Sequence, residues 1–519
     1  MKSCNVKTPY TAFVKNRLFH FAYTYRLSLF SGILLIVIQP PVSLFPVAFF
    51  ALLPLIGSID KNDLRFSFFS GYVTGVVSYL GLIYWVFIAM NRYGGISIPL
   101  SVLILFLFVL YLSCYTGIAA LSCAWLEKRF SVPLYVSFPF VWVLMEYARG
   151  SSPYGFPWSF LAHSQYNFLP FIQIVSITGS YFISFLIVAA NTVFFGFRRR
   201  KKVSSVYMVL IAALFAVTFV YGFVSLADKN DDKPRKNVAI IQGNVRQDVK
   251  WDEAFKIVTA KKYIQMTLQS GSSSDLVVWP ETAMPFIFDE EVHLNRYIKD
   301  LPSAMNMNLL FGSISKNASG RYRNTSYVIG KTGDTIGVYS KVHLVPFGEY
   351  TPLVSYLPFL EKLTAAGGDF VPGDSHAPIK TDIGDIGILI CYEGVFPYIT
   401  NETVRQGAQV LVNLTNDAWY NRTSAPYQHF AFYIFRAIET DRYLLRAANT
   451  GISAIIDPKG RVEAKTPIFT EEVLRGSFAM KDKKTFYVRY GDYFILLALI
   501  VLAAFAVVGR CRKSSNRKP

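Results

Sequence analysis

The chain runs to 519 residues, long enough for two or more domains, and is 52% hydrophobic and 16% aromatic with only 17% charged residues. That balance excludes a wholly soluble enzyme and requires part of the chain to lie in a membrane. The formal charge of +18 would suit a nucleic-acid binder, yet the basic residues gather in short clusters beside apolar segments and no nucleic-acid motif occurs, so no nucleic-acid partner is expected.

In chain order, apolar segments of spanning or near-spanning length fall at roughly 27–39, 42–57, 67–90, 98–123, 132–147, 169–197, 205–226 and 492–509. The first two are short and separated by Pro40 and Pro41, and read either as two spans or as one re-entrant hairpin. The first lacks a small-residue cleavage site and reads as an anchor, not a removed signal peptide. Let the N-terminus, with Lys2, Lys7, Lys15, Arg17 and Arg26, be cytoplasmic, and let all eight segments span. The same side then receives Lys61 and Arg65, Lys128 and Arg129, the run from Arg198 to Lys202, and the tail with Arg510, Arg512, Lys513, Arg517 and Lys518. The loops around Arg92 and Arg149 face the other side and are poorer in basic residues, as the positive-inside bias requires. This parity puts residues 228–490 outside the cytoplasm; losing one span would invert it. The expected organisation is a membrane domain at 1–227, an outer domain at 228–490, and a last helix with a basic cytoplasmic tail at 491–519. The loop Arg149–Tyr166 carries Pro153, Tyr154, Gly155, Phe156, Pro157 and Trp158, and reads as a rigid aromatic element at the outer interface.

Beyond Pro234 the pattern changes to short runs. Val238–Ile241, Asp275–Trp279, Asn308–Ser313, Ser326–Gly330, Ile386–Ile390 and Val410–Leu414 read as buried strands. Glu253–Ser270, Glu290–Asn306 and Ala425–Leu444 read as helices. Such alternation implies a layered α/β sandwich whose function gathers at strand ends. Sequons begin at Asn317, Asn324, Asn401, Asn413 and Asn421; Asn413 sits at a buried strand end, and in a bacterial cell the sequons carry no meaning.

Three strand-end motifs bear the chemistry. The run Val277-Val278-Trp279-Pro280-Glu281 delivers a carboxylate after a proline-broken strand. Lys341 closes a second strand-like run and is followed eight residues later by Glu349. Cys391, the only cysteine between Lys229 and Gly491, ends the apolar run Ile386–Ile390 and precedes Tyr392, Glu393 and Gly394. A lone cysteine there has no disulfide partner within its domain and is either a buried hydrophobe or a nucleophile. A thiol is mostly protonated near neutral pH, so a nucleophilic cysteine needs a carboxylate to take its proton and a cation to favour the thiolate. The six histidines show no metal-ligand spacing, and no metal or other cofactor is expected.

Glu281, Lys341, Glu349 and Cys391, in these contexts and this order, resemble the catalytic set of the nitrilase (carbon–nitrogen hydrolase) superfamily over about residues 238–478. The likeness continues through Asn413–Trp419 and Arg446–Gly451. It implies an αββα sandwich in which Glu281 is the general base and Lys341 stabilises thiolate and oxyanion, helped by the N–H of Tyr392. Glu349 would orient Lys341 or assist proton transfer, and His343 is expected to be structural. The flanking apolar segments, with Gln242-Gly243-Asn244, Lys250-Trp251, Pro346–Tyr350, Cys391–Glu393 and Asn416–Trp419, look like the apolipoprotein N-acyltransferase family of Gram-negative bacteria.

That resemblance implies a multi-pass inner-membrane acyltransferase with its catalytic domain in the periplasm and both termini cytoplasmic. Cys391 would take an acyl chain from a phospholipid, typically phosphatidylethanolamine, as a thioester. It would pass the chain to the α-amino group of a diacylglyceryl-modified apolipoprotein cysteine. A monomer is the expectation. Trp251, Tyr392 and Trp419 are candidates for lipid contact, with Trp419 equally a core residue. Glu393 is a candidate for the substrate amine or for a salt bridge to an arginine. A hydrophobic lid is expected at Val354–Leu363, hinged at Ala365–Gly368. The alternatives are a membrane-tethered amidase that uses water as acceptor, and a catalytically idle scaffold.

Overall fold

The computed structural model of the protein describes residues 17, 19–151, 155–198, 203–228, 234–270, 273–350 and 370–515. Its membrane part contains α1 (Arg26–Val37), α2 (Leu64–Ile83), α3 (Ile98–Phe130), α4 (Leu134–Ser151), α5 (Ser180–Arg198) and α6 (Ser205–Ala227). Five described helices are long and apolar enough to cross a bilayer: Leu64–Ile83, Ile98–Phe130, Ser180–Phe197, Ser205–Ala227 and a last one at Tyr493–Cys511. At about 1.5 Å per residue, twenty residues reach the roughly 30 Å of a hydrocarbon core. Three of them keep no more than 22% of their apolar window buried, which suits lipid and not water.

The short segments behave differently. Residues 19–24 are helical and lead through Tyr25 into α1, whereas 42–57 forms a 3₁₀ turn at Phe45–Phe49 and a short helix at Leu53–Ile56. The expected segment 169–197 is interrupted: Leu169–Ile172 and Val175–Thr178 precede α5, with Gly179 at φ +72° between them and α5. The backbone at Gly179 runs against the ring of Tyr487, with no room for a side chain.

The remainder is an αββα sandwich. It comprises β1 (Arg235–Gln242), α7 (Glu253–Ser270), β2 (Leu276–Val278), α8 (Val292–Met305), β3 (Asn308–Lys316), β4 (Tyr322–Ile329) and β5 (Thr335–Ser340). There follow β6 (Ile379–Thr381), β7 (Gly384–Ile390), α9 (Pro397–Arg405), β8 (Val410–Thr415), α10 (Ala425–Thr440), β9 (Leu444–Ala448), β10 (Ala454–Ile456), β11 (Val462–Lys465), β12 (Glu472–Ala479) and α11 (Tyr493–Ser515). Two six-stranded sheets have the orders β12-β1-β2-β3-β4-β5 and β11-β10-β9-β8-β7-β6. Between them lies a core of Val238, Ile240, Val278, Leu310, Ile388, Ile390, Val412 and Leu445. Residues on β1, β2, β7 and β8 are buried on both faces, which explains their continuous apolar runs.

The outer layers differ. α7 and α8 cover the first sheet with Tyr263, Met266, Ile298 and Leu301. α10 covers the second sheet and is buried at every residue but Tyr427, because the membrane helices pack on its far side. Its buried charges pair with each other, Arg436 Nη2 lying 2.7 Å from Glu439 Oε2. Gln428 on α10 accepts from the indole N–H of Trp85 (3.1 Å) and of Trp158 (2.8 Å) and donates to the carbonyl of Pro40 (3.4 Å). Trp158 itself is 1% exposed, so this part of the aromatic loop is a wedge between the two halves of the protein and not an interfacial anchor.

Candidate active site

The ends of three strands converge on one buried cluster. β2 stops at Trp279-Pro280, where the Trp279 indole is tied to Thr267 of α7 (2.9 Å), and Glu281 follows. Gly312 on β3 permits this crossing, since a Cβ there would stand 2.8 Å from the Glu281 Cα. Lys341 directly follows β5, and its ammonium, 1% exposed, lies 2.8 and 3.0 Å from the Glu349 oxygens and 3.8 Å from Glu281 Oε1. Burial lowers its pKa, but the Glu349 and Glu281 carboxylates outweigh that and hold Lys341 firmly cationic. Glu281 Oε1 also accepts from Asn324 Nδ2 (2.8 Å) and Oε2 from the Asn416 N–H (2.9 Å). Asn324 donates to Glu349 as well (2.8 Å), linking the two carboxylates.

Cys391 follows β7 at φ +53°, a left-handed conformation that costs an L residue about 1–2 kcal/mol and lifts the thiol out of the strand line. Burial and the Glu281 carboxylate push the thiol well above its ordinary range, opposed by Lys341. Cys391 therefore rests as a thiol beside a carboxylate, an arrangement that suits general-base removal of the proton and not a standing thiolate. Glu393 holds the elbow: it accepts from the N–H groups of Ile390 (2.7 Å), Val342 (2.6 Å) and His343 (3.2 Å) and from the Tyr339 hydroxyl (3.1 and 3.0 Å). It is fully buried, with its pKa raised to about 7 by burial. Its donors are neutral, and among the described residues it forms no ion pair with an arginine. Glu393 fastens the cysteine elbow to the segment that carries Lys341.

The other expected residues are distributed around this cluster. Tyr392 is buried against Phe396 and Trp158. Trp251 and Trp419 line a cleft of about 460 Å³ with Arg92, Tyr93 and Phe469. That volume is in the range of small-ligand sites. His343 is packed on Phe396, with Nδ1 2.9 Å from the Tyr398 hydroxyl. Val354–Leu363 and Ala365–Gly368, expected as lid and hinge, and Pro153 and Tyr154 lie outside the described residues.

Residues 31–193 match the family model for the apolipoprotein N-acyltransferase N-terminal domain, and residues 237–483 match that for carbon-nitrogen hydrolases. An apolipoprotein N-acyltransferase of Geobacter metallireducens is 41% identical over 95% of this chain and 96% of its own. The chain belongs to the apolipoprotein N-acyltransferase family. Further relatives of that name come from Neisseria meningitidis (32% identical, 89% of this chain, 93% of that one) and Pasteurella multocida (27%, 94% and 96%). Among solved structures, Saccharomyces cerevisiae Nit3 is 19% identical over 47% of this chain and 90% of its own, with a TM-score of 0.38. An amidase from Nesterenkonia sp. is 17% identical over 51% and 96%, with a TM-score of 0.37.

In this acyltransferase-family chain, sequence reasoning missed several site residues. Asn324 was visible only as a sequon, yet it is 5% exposed and bridges two carboxylates. Lys250, quoted only as half of a Lys-Trp pair, is 2% exposed and donates to the Glu281 carbonyl (3.1 Å); burial lowers its pKa to about 8. Asn416 joins Gln247 (2.7 Å) and Asn449 (3.0 Å), which sets the N–H that serves Glu281. The available signal was the run of amides in Asn413-Leu414-Thr415-Asn416, unusual for a strand end with a dry flank.

Proposed function

We propose that this chain transfers an acyl chain from a membrane phospholipid, through a thioester on Cys391, to the α-amino group of the N-terminal S-diacylglyceryl-cysteine of apolipoproteins. The observation that carries the reading is the coupled Glu281–Lys341–Cys391 cluster with Glu349 in contact with Lys341, in a domain packed directly on membrane helices. Glu281 takes the Cys391 proton, and the sulfur attacks the ester carbonyl. Lys341 and the Tyr392 N–H hold the resulting oxyanion. The C–O bond then breaks, Glu281 returns its proton to the departing lysophospholipid alkoxide, and the thioester remains. In the second half the acceptor amine attacks the thioester, Glu281 takes a proton from the nitrogen, and Cys391 leaves as thiolate and recovers the proton. Ping-pong kinetics follow. Glu349 holds Lys341, and Trp251 and Trp419 guide the lipid at the cleft.

The donor is a phospholipid of the phosphatidylethanolamine kind, and the enzyme works as a monomer. The basic clusters support a membrane domain at 1–227, an outer domain at 228–490 facing the periplasm, and a last helix and tail at 491–519, with both termini cytoplasmic. Intact-mass spectrometry of the purified protein incubated with phosphatidylethanolamine tests the chemistry. A hydroxylamine-labile acyl adduct is expected on the wild type and not on Cys391→Ala, and a diacylglyceryl peptide should discharge it as an amide. Absence of the adduct from folded wild type would refute the reading.

A further inference from the structure

The carbonyl of Cys391 and the N–H of Tyr392 belong to one planar peptide, so whatever grips the carbonyl also aims the N–H. Two side chains grip it: the Tyr433 hydroxyl at 2.9 Å and Asn413 Nδ2 at 3.3 Å. We propose that Tyr433 is a positioning residue for acyl transfer, whose hydroxyl holds the Cys391 carbonyl so that the Tyr392 N–H points at the developing oxyanion. This rests on the acyl-transfer reading above, in which that N–H is an oxyanion donor.

Tyr433 is held for the task. It is fully buried on α10, and its ring lies so close to Gly394 that a Cβ there would stand 2.2 Å from a ring carbon. His429, one turn earlier, brings Nε2 to 3.0 Å from the hydroxyl. The guanidinium of Arg446 on β9 sits 4.9 Å from the ring centroid, and its Nη2 is 2.9 Å from Asp417 and 3.1 Å from His429 Nδ1. Asp417 Oδ1 is 2.9 Å from the same His429 Nδ1. A phenol has one proton. Given to Cys391, it leaves the hydroxyl oxygen as acceptor, so His429 serves it with an Nε2–H. Accepting a hydrogen bond at its carbonyl polarises a peptide and strengthens its N–H as donor, which adds to the aiming. None of these four side chains gives or takes a proton in the proposed transfers between Glu281 and Cys391, and this role accounts for a buried charged cluster placed immediately behind the nucleophile.

Tyr433→Phe keeps the ring and removes the grip. Two rates are compared in the full-length protein in detergent. The first is acylation of Cys391 by phosphatidylethanolamine, followed by intact mass. The second is alkylation by iodoacetamide, which displaces iodide at a saturated carbon and forms no oxyanion. Removing an oxyanion donor outright costs about 100- to 1,000-fold, and a misaimed donor retains part of its effect, so acylation should fall about 10- to 100-fold. Alkylation should stay within about twofold, since the donor acts only where an oxyanion forms. His429→Leu, which removes the hydroxyl's own partner, should show the same selective loss, with thermal melting as the check on folding. If both rates fall together, if acylation is unchanged, or if neither variant folds, the role of Tyr433 is overturned. A wild type that forms no adduct defeats the acyl-transfer reading itself, whereas a normal wild type beside an unaffected Tyr433→Phe defeats only this proposal.

Discussion

Lys341→Met tests the centre of the site, because it keeps most of the stem and removes the charge. The ammonium serves three groups. It neutralises Glu349 at 2.8 Å, it lies 3.8 Å from Glu281, and it opposes the burial and the Glu281 charge that keep Cys391 protonated. For the chemistry, losing an oxyanion donor costs about 100- to 1,000-fold in rate, or about 3–4 kcal/mol. Each further unit by which the thiol rises costs about 1.4 kcal/mol, another tenfold in thiolate. Acylation should therefore slow by about a thousandfold or more, taking the donor loss with one such unit. For stability, breaking a buried ion pair costs about 3–5 kcal/mol, less whatever is recovered when one of the two carboxylates, left linked through Asn324, takes up a proton. Single-turnover intact-mass kinetics with phosphatidylethanolamine reads the first effect, and thermal melting in detergent reads the second. A folded Lys341→Met protein that acylates within tenfold of wild type would show that the lysine serves the fold alone.

Three further substitutions probe the frame. Asn324→Ala removes the amide shared by Glu281 and Glu349; hydrogen bonds to charged groups contribute about 1.5–3 kcal/mol, so kcat should drop about tenfold or more at little-changed KM in a steady-state N-acylation assay. Glu393→Gln cannot accept on both sides at once, because its amide nitrogen must face either Ile390 N–H or the Val342 and His343 N–H pair. At least one donor is orphaned, for about 1–3 kcal/mol of lost stability in denaturation experiments. His343 is held down to a pKa of about 4 by burial and by Lys341, below its ordinary value near 6.5. A depressed folded pKa means stability present above about pH 6.5 and lost as pH falls towards 4, a difference of about 3 kcal/mol over the window. His343→Gln should flatten that acid limb in melting curves taken from pH 7 to 4, and an unchanged limb would assign it elsewhere.

The central strands were legible because they are buried on both faces and read as unbroken apolar runs. The edges were not. β12 pairs with β1 over eight residues, but its sequence, Glu472 to Ala479, mixes charge with apolar residues, and its register exists only through a partner more than two hundred positions away. β9 was concealed by Arg446, a charge in a wholly buried strand made tolerable by its ion pair with Asp417 and its hydrogen bond to the Ile452 carbonyl. The same reason separates the legible from the illegible in the site. Glu281, Lys341 and Cys391 each end a strand and stand out against apolar neighbours. Asn324 lies inside β4 and Tyr433 inside α10, and each matters through a side chain that reaches another element, which no local pattern records. Glu393 was visible but its partners were not, since adjacency to Cys391 does not reveal which way a carboxylate points.

The packing of α10 bears on why the chemistry belongs at a membrane. Cys391 sits at the end of β7, in the sheet that α10 covers, and α10 is clamped to membrane-domain elements through Gln428, Trp85, Trp158 and the Pro40 carbonyl. Trp158 reaches both ways, stacking on Tyr392 beside the cysteine and lying against His429 and Phe432 of α10. Its backbone carbonyl, with that of Phe156, is held by Arg149 at 2.7 and 2.9 Å. The cysteine elbow is thus fixed to the membrane helices by buried side chains and not merely tethered by the linker near Pro234. Exposing each methylene of an acyl chain to water costs about 0.8 kcal/mol, so raising half of a typical lipid chain, about eight methylenes, to a freely tethered site would cost about 6 kcal/mol, most of the roughly 8 kcal/mol of a micromolar binding step. A thiol fixed to the membrane helices lowers that cost in the proposed reaction, because the ester linkage, and not the whole chain, is what would have to reach it.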